Sequence, residues 1–255
     1  MTSTNLAPQP LGLAMRSLLR ADFIVLVRSK VAVTLSILLP VVILVVTSFS
    51  KSQSRLGGTD VIVGLALTLG LLTSCLLGYT LAIAHDREIG VLERLRVTPA
   101  PTWMIMTSRL IVQVATNLVS SIIVVVVGAI LHGLTLTAGQ FLLILAIAVL
   151  GAAVFLSIGQ ALVGLVQSAG AVNAIGRFLM IILLLLGLLG GTGILGDAMK
   201  TVADWSPVGA LMILFAKAFD ESAWNSQDTF ALLACAGYVI VFAYIGIRWF
   251  RWNSR

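Results

Sequence analysis

The residues best equipped for chemistry crowd into positions 85–99: His85, Asp86, Arg87, Glu88, Glu93, Arg94 and Arg96. A histidine next to two carboxylates could hold a proton or a metal ion, but nothing else in the sequence completes such a site. The second histidine, His132, lies beyond a long apolar run from His85, and there is no H-E-x-x-H. Cys75 and Cys235 each sit inside apolar stretches, where a buried structural thiol is the ordinary reading. His85 therefore reads as a solvated side chain at a helix boundary. Neither G-x-x-x-x-G-K-[ST] nor G-x-S-x-G occurs, so the chain carries no P-loop and no nucleophile elbow. Gly191-Thr192-Gly193-Ile194-Leu195-Gly196 does spell G-x-G-x-x-G, with Asp220 downstream. A dinucleotide site needs a buried strand before that motif and a helix after it, in a βαβ unit. Here the preceding run, Ile181 to Leu186, belongs to an apolar span, and the glycines are better read as its break. No catalytic residue and no metal ligand is expected, so the charge at 85–99 needs another explanation.

Composition supplies the setting. Of 255 residues, 59% are hydrophobic and 10% charged, and the mean hydropathy is +1.10. A soluble domain of this length could not bury that much apolar surface; a bilayer can. The net charge of +6 fits basic membrane edges, and no basic patch interleaved with aromatics points to nucleic acid. The expected fold is an all-α polytopic membrane protein.

Stepping along the chain, Leu11, Met15, Leu18, Leu19, Phe23 and Leu26 recur at helical spacing after a polar start, and Arg16, Arg20 and Asp22 fall largely on other faces. That pattern predicts an interfacial amphipathic helix within a 1–30 tail. No short apolar core precedes a small-residue cleavage site, so no cleavable signal peptide is expected. Six transmembrane helices follow, at about 31–49, 61–84, 105–131, 141–166, 172–189 and 230–247, judged against the roughly 20 apolar residues that cross a bilayer. Pro40 is placed to kink the first, and Arg177 stands near the start of the fifth. Residues 190–229 form an outer amphipathic segment in which Val202, Trp205, Val208, Leu211, Met212 and Phe215 approximate one apolar face, predicted to dip into the outer leaflet. A basic tail, 248–255, ends the chain. Twelve of the sixteen Lys and Arg residues fall on the side that holds both termini and the charged connector, which places that side in the cytoplasm; the membrane is expected to be the plasma membrane of a bacterium or archaeon.

Polarity inside the spans is sparse. Ala66, Gly70, Ser74, Gly78 and Ala82 step by four along the second span, and Ala153, Ser157 and Ala161 along the fourth, suiting close helix approach. Gln113, Thr116, Asn117, Ser120 and Ser121 make a polar stripe on the third, to which Gln160 and Gln167 of the fourth can add. Such a stripe either borders a translocation path or makes interhelical hydrogen bonds, worth about 0.6 kcal/mol each. No ionisable group is placed at mid-depth, which argues against a proton- or sodium-coupled carrier.

The connector can now be read physically. Ile89, Leu92 and Leu95 are spaced to share one side of a short helix over about 86–98, with Glu88, Glu93, Arg94 and Arg96 around it and Thr98-Pro99-Ala100-Pro101 ending it. A helix of about ten residues is marginal alone, so it must dock, and its acids disfavour anionic lipid. The run Arg87-Glu88-Ile89-Gly90-Val91-Leu92-Glu93-Arg94-Leu95-Arg96-Val97-Thr98-Pro99 resembles the signature of type-2 ATP-binding-cassette permeases, roughly E-R-E-x-G-T-L-E-x-L-x-x-T-P after the second span. Asp86 and Val91 depart from it, where the family commonly has glutamate and threonine.

The resemblance extends to the whole chain and implies the membrane subunit of an exporter. Its connector would be a coupling helix seated on a separate ATPase subunit, with Glu88, Glu93, Arg94 and Arg96 as polar contacts and Ile89, Leu92 and Leu95 as the packed face. ATP and Mg would be bound by that partner, with no cofactor in this chain, and a second permease copy or paralogue would complete the bundle in membrane lipid. The largely uncharged spans favour a hydrophobic or amphiphilic cargo such as a drug or antibiotic. A stand-alone carrier or channel and a membrane-embedded enzyme are the competing classes.

Overall fold

The computed structural model describes residues 11–28, 30–49, 58–96, 101–187, 196–220 and 224–249. Every regular element among them is helical, as a chain immersed in lipid requires, since a helix satisfies its own backbone polar groups. In order these are α1 (Leu11–Arg28), α2 (Lys30–Phe49), α3 (Thr59–Leu71), a π-helical segment (Leu72–Tyr79), α4 (Thr80–Glu88), α5 (Val91–Arg96), α6 (Thr102–His132), α7 (Ala138–Leu165), α8 (Ala169–Leu185), α9 (Asp197–Trp205), α10 (Pro207–Phe219) and α11 (Ser226–Trp249).

By length and composition, four described helices can cross a membrane: the composite Thr59–Glu88, then Trp103–His132, Ala138–Leu165 and Ser226–Trp249. The pair α9–α10 passes the same test only as a broken span, bent by 83°. The predicted first and fifth spans contribute shorter apolar helices, Ile37–Phe49 and Ala169–Leu185. Among the described residues, four helices, or five with the bent pair, meet these criteria, against the six expected. Pro40 lies inside α2, which continues past it. One further expectation changes: Arg177 stands midway along α8, exposed, rather than near its start.

The core lies where α3, the π segment, α7 and α10 meet. Leu44, Val63, Leu72, Phe155, Leu211 and Phe215 are fully inaccessible there. Close approach is set by glycines of α7 more than by the predicted stripe of the second span. A Cβ at Gly151 would lie 2.9 Å from Leu71 Cδ1 and 3.2 Å from Leu211 Cδ1, and one at Gly159 would overlap the Thr80 hydroxyl. The four-step stripe does not stay on one covered face: Ala66 and Ser74 are buried, whereas Ala82, at its other end, is exposed. The π segment that lies between Ala66 and Ala82 has the wider turn of that helix type. Thr73 donates to Leu69 O (2.8 Å) and Gly70 O (3.1 Å), serving carbonyls at the entrance to this wider turn.

After residue 196 the chain forms two short helices, α9 and α10, joined by a bend of 83°. Ser206 caps α10 by accepting from Gly209 N at 3.0 Å, Pro207 occupies its first turn, and Tyr238 of α11 donates to Trp205 O at 2.7 Å. Val202 and Trp205 remain exposed, whereas Val208, Leu211 and Phe215 are buried within the bundle. Apolar residues surround α10 on more than one side (Val208, Ala210, Leu211, Leu214, Phe215, Ala218), and protein rather than lipid covers them.

Candidate functional site

The connector is built by a helix that ends and restarts. Helix α4 continues through Glu88, then Ile89 N donates to His85 O (3.1 Å) and Gly90 N to Arg87 O (3.2 Å). Gly90 has φ 74, a left-handed conformation that glycine adopts without a Cβ penalty. Arg94 N then donates to Gly90 O at 3.2 Å as α5 begins. A continuous helix over 86–98 is therefore replaced by two helices with a turn between them, and the predicted apolar side divides. Leu92 is completely buried in the chain's own core, Leu95 is half-buried and Ile89 is 52% exposed. Leu92 cannot belong to an outward docking face; it anchors α5 to the bundle. Glu93 and Arg94 are exposed on the opposite side. The side chain of Arg96 and the Thr98-Pro99 ending lie outside the described residues.

Arg87, ranked only as one charge among several in the sequence, is the best-anchored residue of the connector. It is 1% exposed, and its guanidinium donates to Val163 O (2.8 Å), Val166 O (2.7 Å) and Gln167 O (2.6 Å) at the C-terminal end of α7. Its neighbour Glu88, expected as an outward contact, instead accepts from Ala169 N at 2.6 Å, at the first residue of α8. The pairing follows helix electrostatics: a cation on the carbonyl end of α7 and an anion on the amide end of α8. Ser168 adds its hydroxyl as acceptor for Ala171 N at 3.1 Å.

A second charged group ties α1 to the same end of the bundle. Arg109 of α6 pairs with Asp86 at 2.6 Å and lies 3.9 Å from Asp22 of α1, whose carboxylate also accepts from the Ser108 hydroxyl. Burial pushes the Asp22 carboxyl above its ordinary value of 3.8, against the pull of Ser108 and Arg109, and Asp86 adds to the push.

The polar stripe is brought together, but chiefly to join helices. Gln113 Nε2 donates to Ser74 Oγ at 2.9 Å, and Asn117 Nδ2 contacts Cys75 Sγ at 3.1 Å and Gln113 O at 2.8 Å. Thr116 donates back to Val112 O. Asn117, Ser120 and Ser121 are 3–7% exposed. Gln160 is separate from these residues: it accepts from Tyr79 OH at 3.1 Å and packs under Gly246 of α11. Gln167 is exposed and contributes its backbone carbonyl to Arg87. No group of three or more His, Cys, Asp and Glu that could hold a metal occurs among the described residues. Gly196 caps α9 with φ 91, while 191–195 of the glycine motif lie outside the described part.

Residues 14–219 match the family model of the ABC-2 type transporter. The chain belongs to that family. No curated protein matches it. As an ABC-2 membrane domain, this permease is the membrane-embedded part of a transporter and is not itself the ATPase. The permease's connector is legible in sequence, but its two clamping contacts are not. The one available signal was the adjacency of opposite charges, Arg87-Glu88, at a helix end, which fits two helix poles meeting at one turn.

Proposed function

We propose that this ABC-2 permease is the transmembrane subunit of an ATP-driven exporter, and that α5 is its coupling helix toward a separate cytoplasmic ATP-binding-cassette subunit. The observation that carries the reading is the division of the connector. Leu92, Arg87 and Glu88 fix it to the bundle, while Ile89 in the turn and Glu93 and Arg94 on the six-residue helix α5 stand outward. Opposite charges beside an apolar side chain suit a protein groove better than a lipid surface. The partner binds ATP with Mg and supplies hydrolysis; the permease supplies the path. A second permease copy or paralogue pairs with the bundle, and the exposed apolar residues of α8, Phe178, Ile181 and Leu185, suit either that copy or lipid. The cargo is a hydrophobic or amphiphilic small molecule of the drug or antibiotic kind, in keeping with how few charges the spans carry.

The test is co-purification of the tagged chain with an ATP-binding-cassette subunit, followed by drug-accumulation assays on charge-reversed variants. Glu93→Arg or Arg94→Glu abolishes efflux and partner capture while membrane insertion persists. Undiminished efflux with both charges reversed removes the assignment, and efflux from a chain that captures no ATPase points to a stand-alone carrier.

A further inference from the structure

The α7–α8 turn is separated from the connector by more than 70 residues of sequence, yet adjacent connector residues hold both sides of it. Arg87 reaches three carbonyls that close α7, and Glu88 takes the first amide of α8. The guanidinium is buried, and three charge-assisted bonds of 2.6–2.8 Å fix it. Each charge matches the helix pole it touches. A displacement of α5 that is passed through the Gly90 turn to the last turn of α4 must therefore either carry the α7–α8 turn with it or break four short hydrogen bonds.

We infer that Arg87 and Glu88 are positioning residues that join the connector and the α7–α8 turn into one moving piece, so that motion imposed on α5 enters α7 and α8 directly rather than only along α4. This rests on the coupling-helix reading, and deepens it. By itself α4 leads into the π segment, whose wider turn makes it a poor rod. The clamp bypasses that segment: it delivers the displacement to the end of α7, the helix whose Gly151 and Gly159 sit closest to the core, and to the start of α8.

Two measurements test the inference on the full chain in lipid nanodiscs. In the permease alone, hydrogen exchange at the Ala169 amide reads the clamp. Glu88→Ala speeds it at least about tenfold, whereas Glu88→Gln, which keeps an acceptor oxygen, restores protection. In the complex with the co-purified ATPase, spin labels at Gly139→Cys and Gly170→Cys report the α8 start against the opposite end of α7. Neither position has an atom within 4 Å of an added Cβ, and dilution with unlabelled chain isolates pairs within one molecule. Addition of ATP and Mg shifts this distance in the intact chain. The shift is lost in Arg87→Met, in Glu88→Ala and in the swap Arg87→Glu/Glu88→Arg, which keeps the charges but puts each on the wrong pole, while hydrolysis continues. A structural role alone would lower stability and leave the shift in place.

An unchanged shift in these variants overturns the inference, as does its absence in an intact chain whose ATPase is bound and hydrolysing. Should Arg87→Met not fold, Arg87→Lys and Glu88→Ala carry the same test. If no ATPase is captured, the coupling reading fails, and the clamp still stands or falls on Ala169 exchange.

Discussion

Replacing Gly159 by alanine puts a methyl group where the Thr80 hydroxyl sits, and the consequence can be worked through. Thr80 is 1% exposed, and its hydroxyl oxygen has no hydrogen-bond partner among the described residues. The remaining neighbours of the new Cβ, Cys75 O at 3.4 Å and Thr80 Cβ at 3.6 Å, are ordinary contacts. The whole clash therefore belongs to one oxygen on a stiff, buried β-branched side chain. Overpacking of this kind costs about 1–3 kcal/mol, and the better helix propensity of alanine returns up to about 1 kcal/mol. Gly159→Ala alone should thus cost up to about 2 kcal/mol. At roughly 2–4 °C per kcal/mol for a chain of this size, its Tm in detergent falls by up to roughly 8 °C. Thr80→Ala alone loses a buried methyl but also an unpartnered oxygen, and changes stability little. On the Thr80→Ala background the Gly159→Ala penalty disappears, leaving the helix-propensity gain. Thermal unfolding of the four chains gives a coupling energy directly. A value below about 0.5 kcal/mol, or a double variant no better than Gly159→Ala, refutes the argument that this oxygen limits the approach of α7 to α4.

Three further outcomes can be checked with the same unfolding assay. Leu92→Ala, in the fully buried anchor, lowers stability by about 2–5 kcal/mol, whereas Ile89→Ala stays within about 0.5 kcal/mol and weakens capture of the ATPase instead. Gly90→Ala has open space around the new Cβ but keeps φ 74, so it costs about 1–2 kcal/mol through the backbone alone, and Gly90→Asn costs less. Asp22 favours its protonated form more in the folded chain than in the unfolded one. Its contribution to stability is thus largest below the unfolded value near 3.8 and falls as pH rises through the higher folded value. Asp22→Asn removes that slope in melts compared across acidic and neutral pH; an unchanged slope would mean Arg109 already compensates the charge.

The reach of the sequence differs from element to element, for physical reasons. Composition alone decides the all-helical membrane fold, because lipid leaves the backbone few alternatives. The connector was visible because a charge run is conspicuous among apolar spans. Its internal geometry was hidden by Gly90: apolar spacing at Ile89, Leu92 and Leu95 assumes an unbroken helix, and a left-handed turn sends Leu92 inward and Ile89 outward. Which end of the four-step stripe is covered depends on neighbours that the pattern does not name, and Ala82 is exposed where Ala66 is buried. Helix α10 shows that an apolar face says that something covers it and not whether that is lipid or protein. The roles of Arg87 and Glu88 depend on backbone groups 76 to 81 residues away, which side-chain identities do not announce. The polar stripe allows two readings from sequence, a path or a helix joint, and its hydrogen bonds favour the joining of helices.

The contact that holds α1 also imposes an order of events during synthesis. Asp22 leaves the ribosome with the first helix, but its partner Ser108 lies 86 residues later, and Arg109 one beyond that. At about 5–20 residues per second the wait is roughly 4–17 s, during which the composite helix Thr59–Glu88 must be made and placed. Helix α1 is made without this contact and gains it only when α6 arrives. The N-terminal helix is thus made early and seated late. A truncated chain that stops before residue 108 should carry an α1 that is membrane-associated yet fully open to proteolysis.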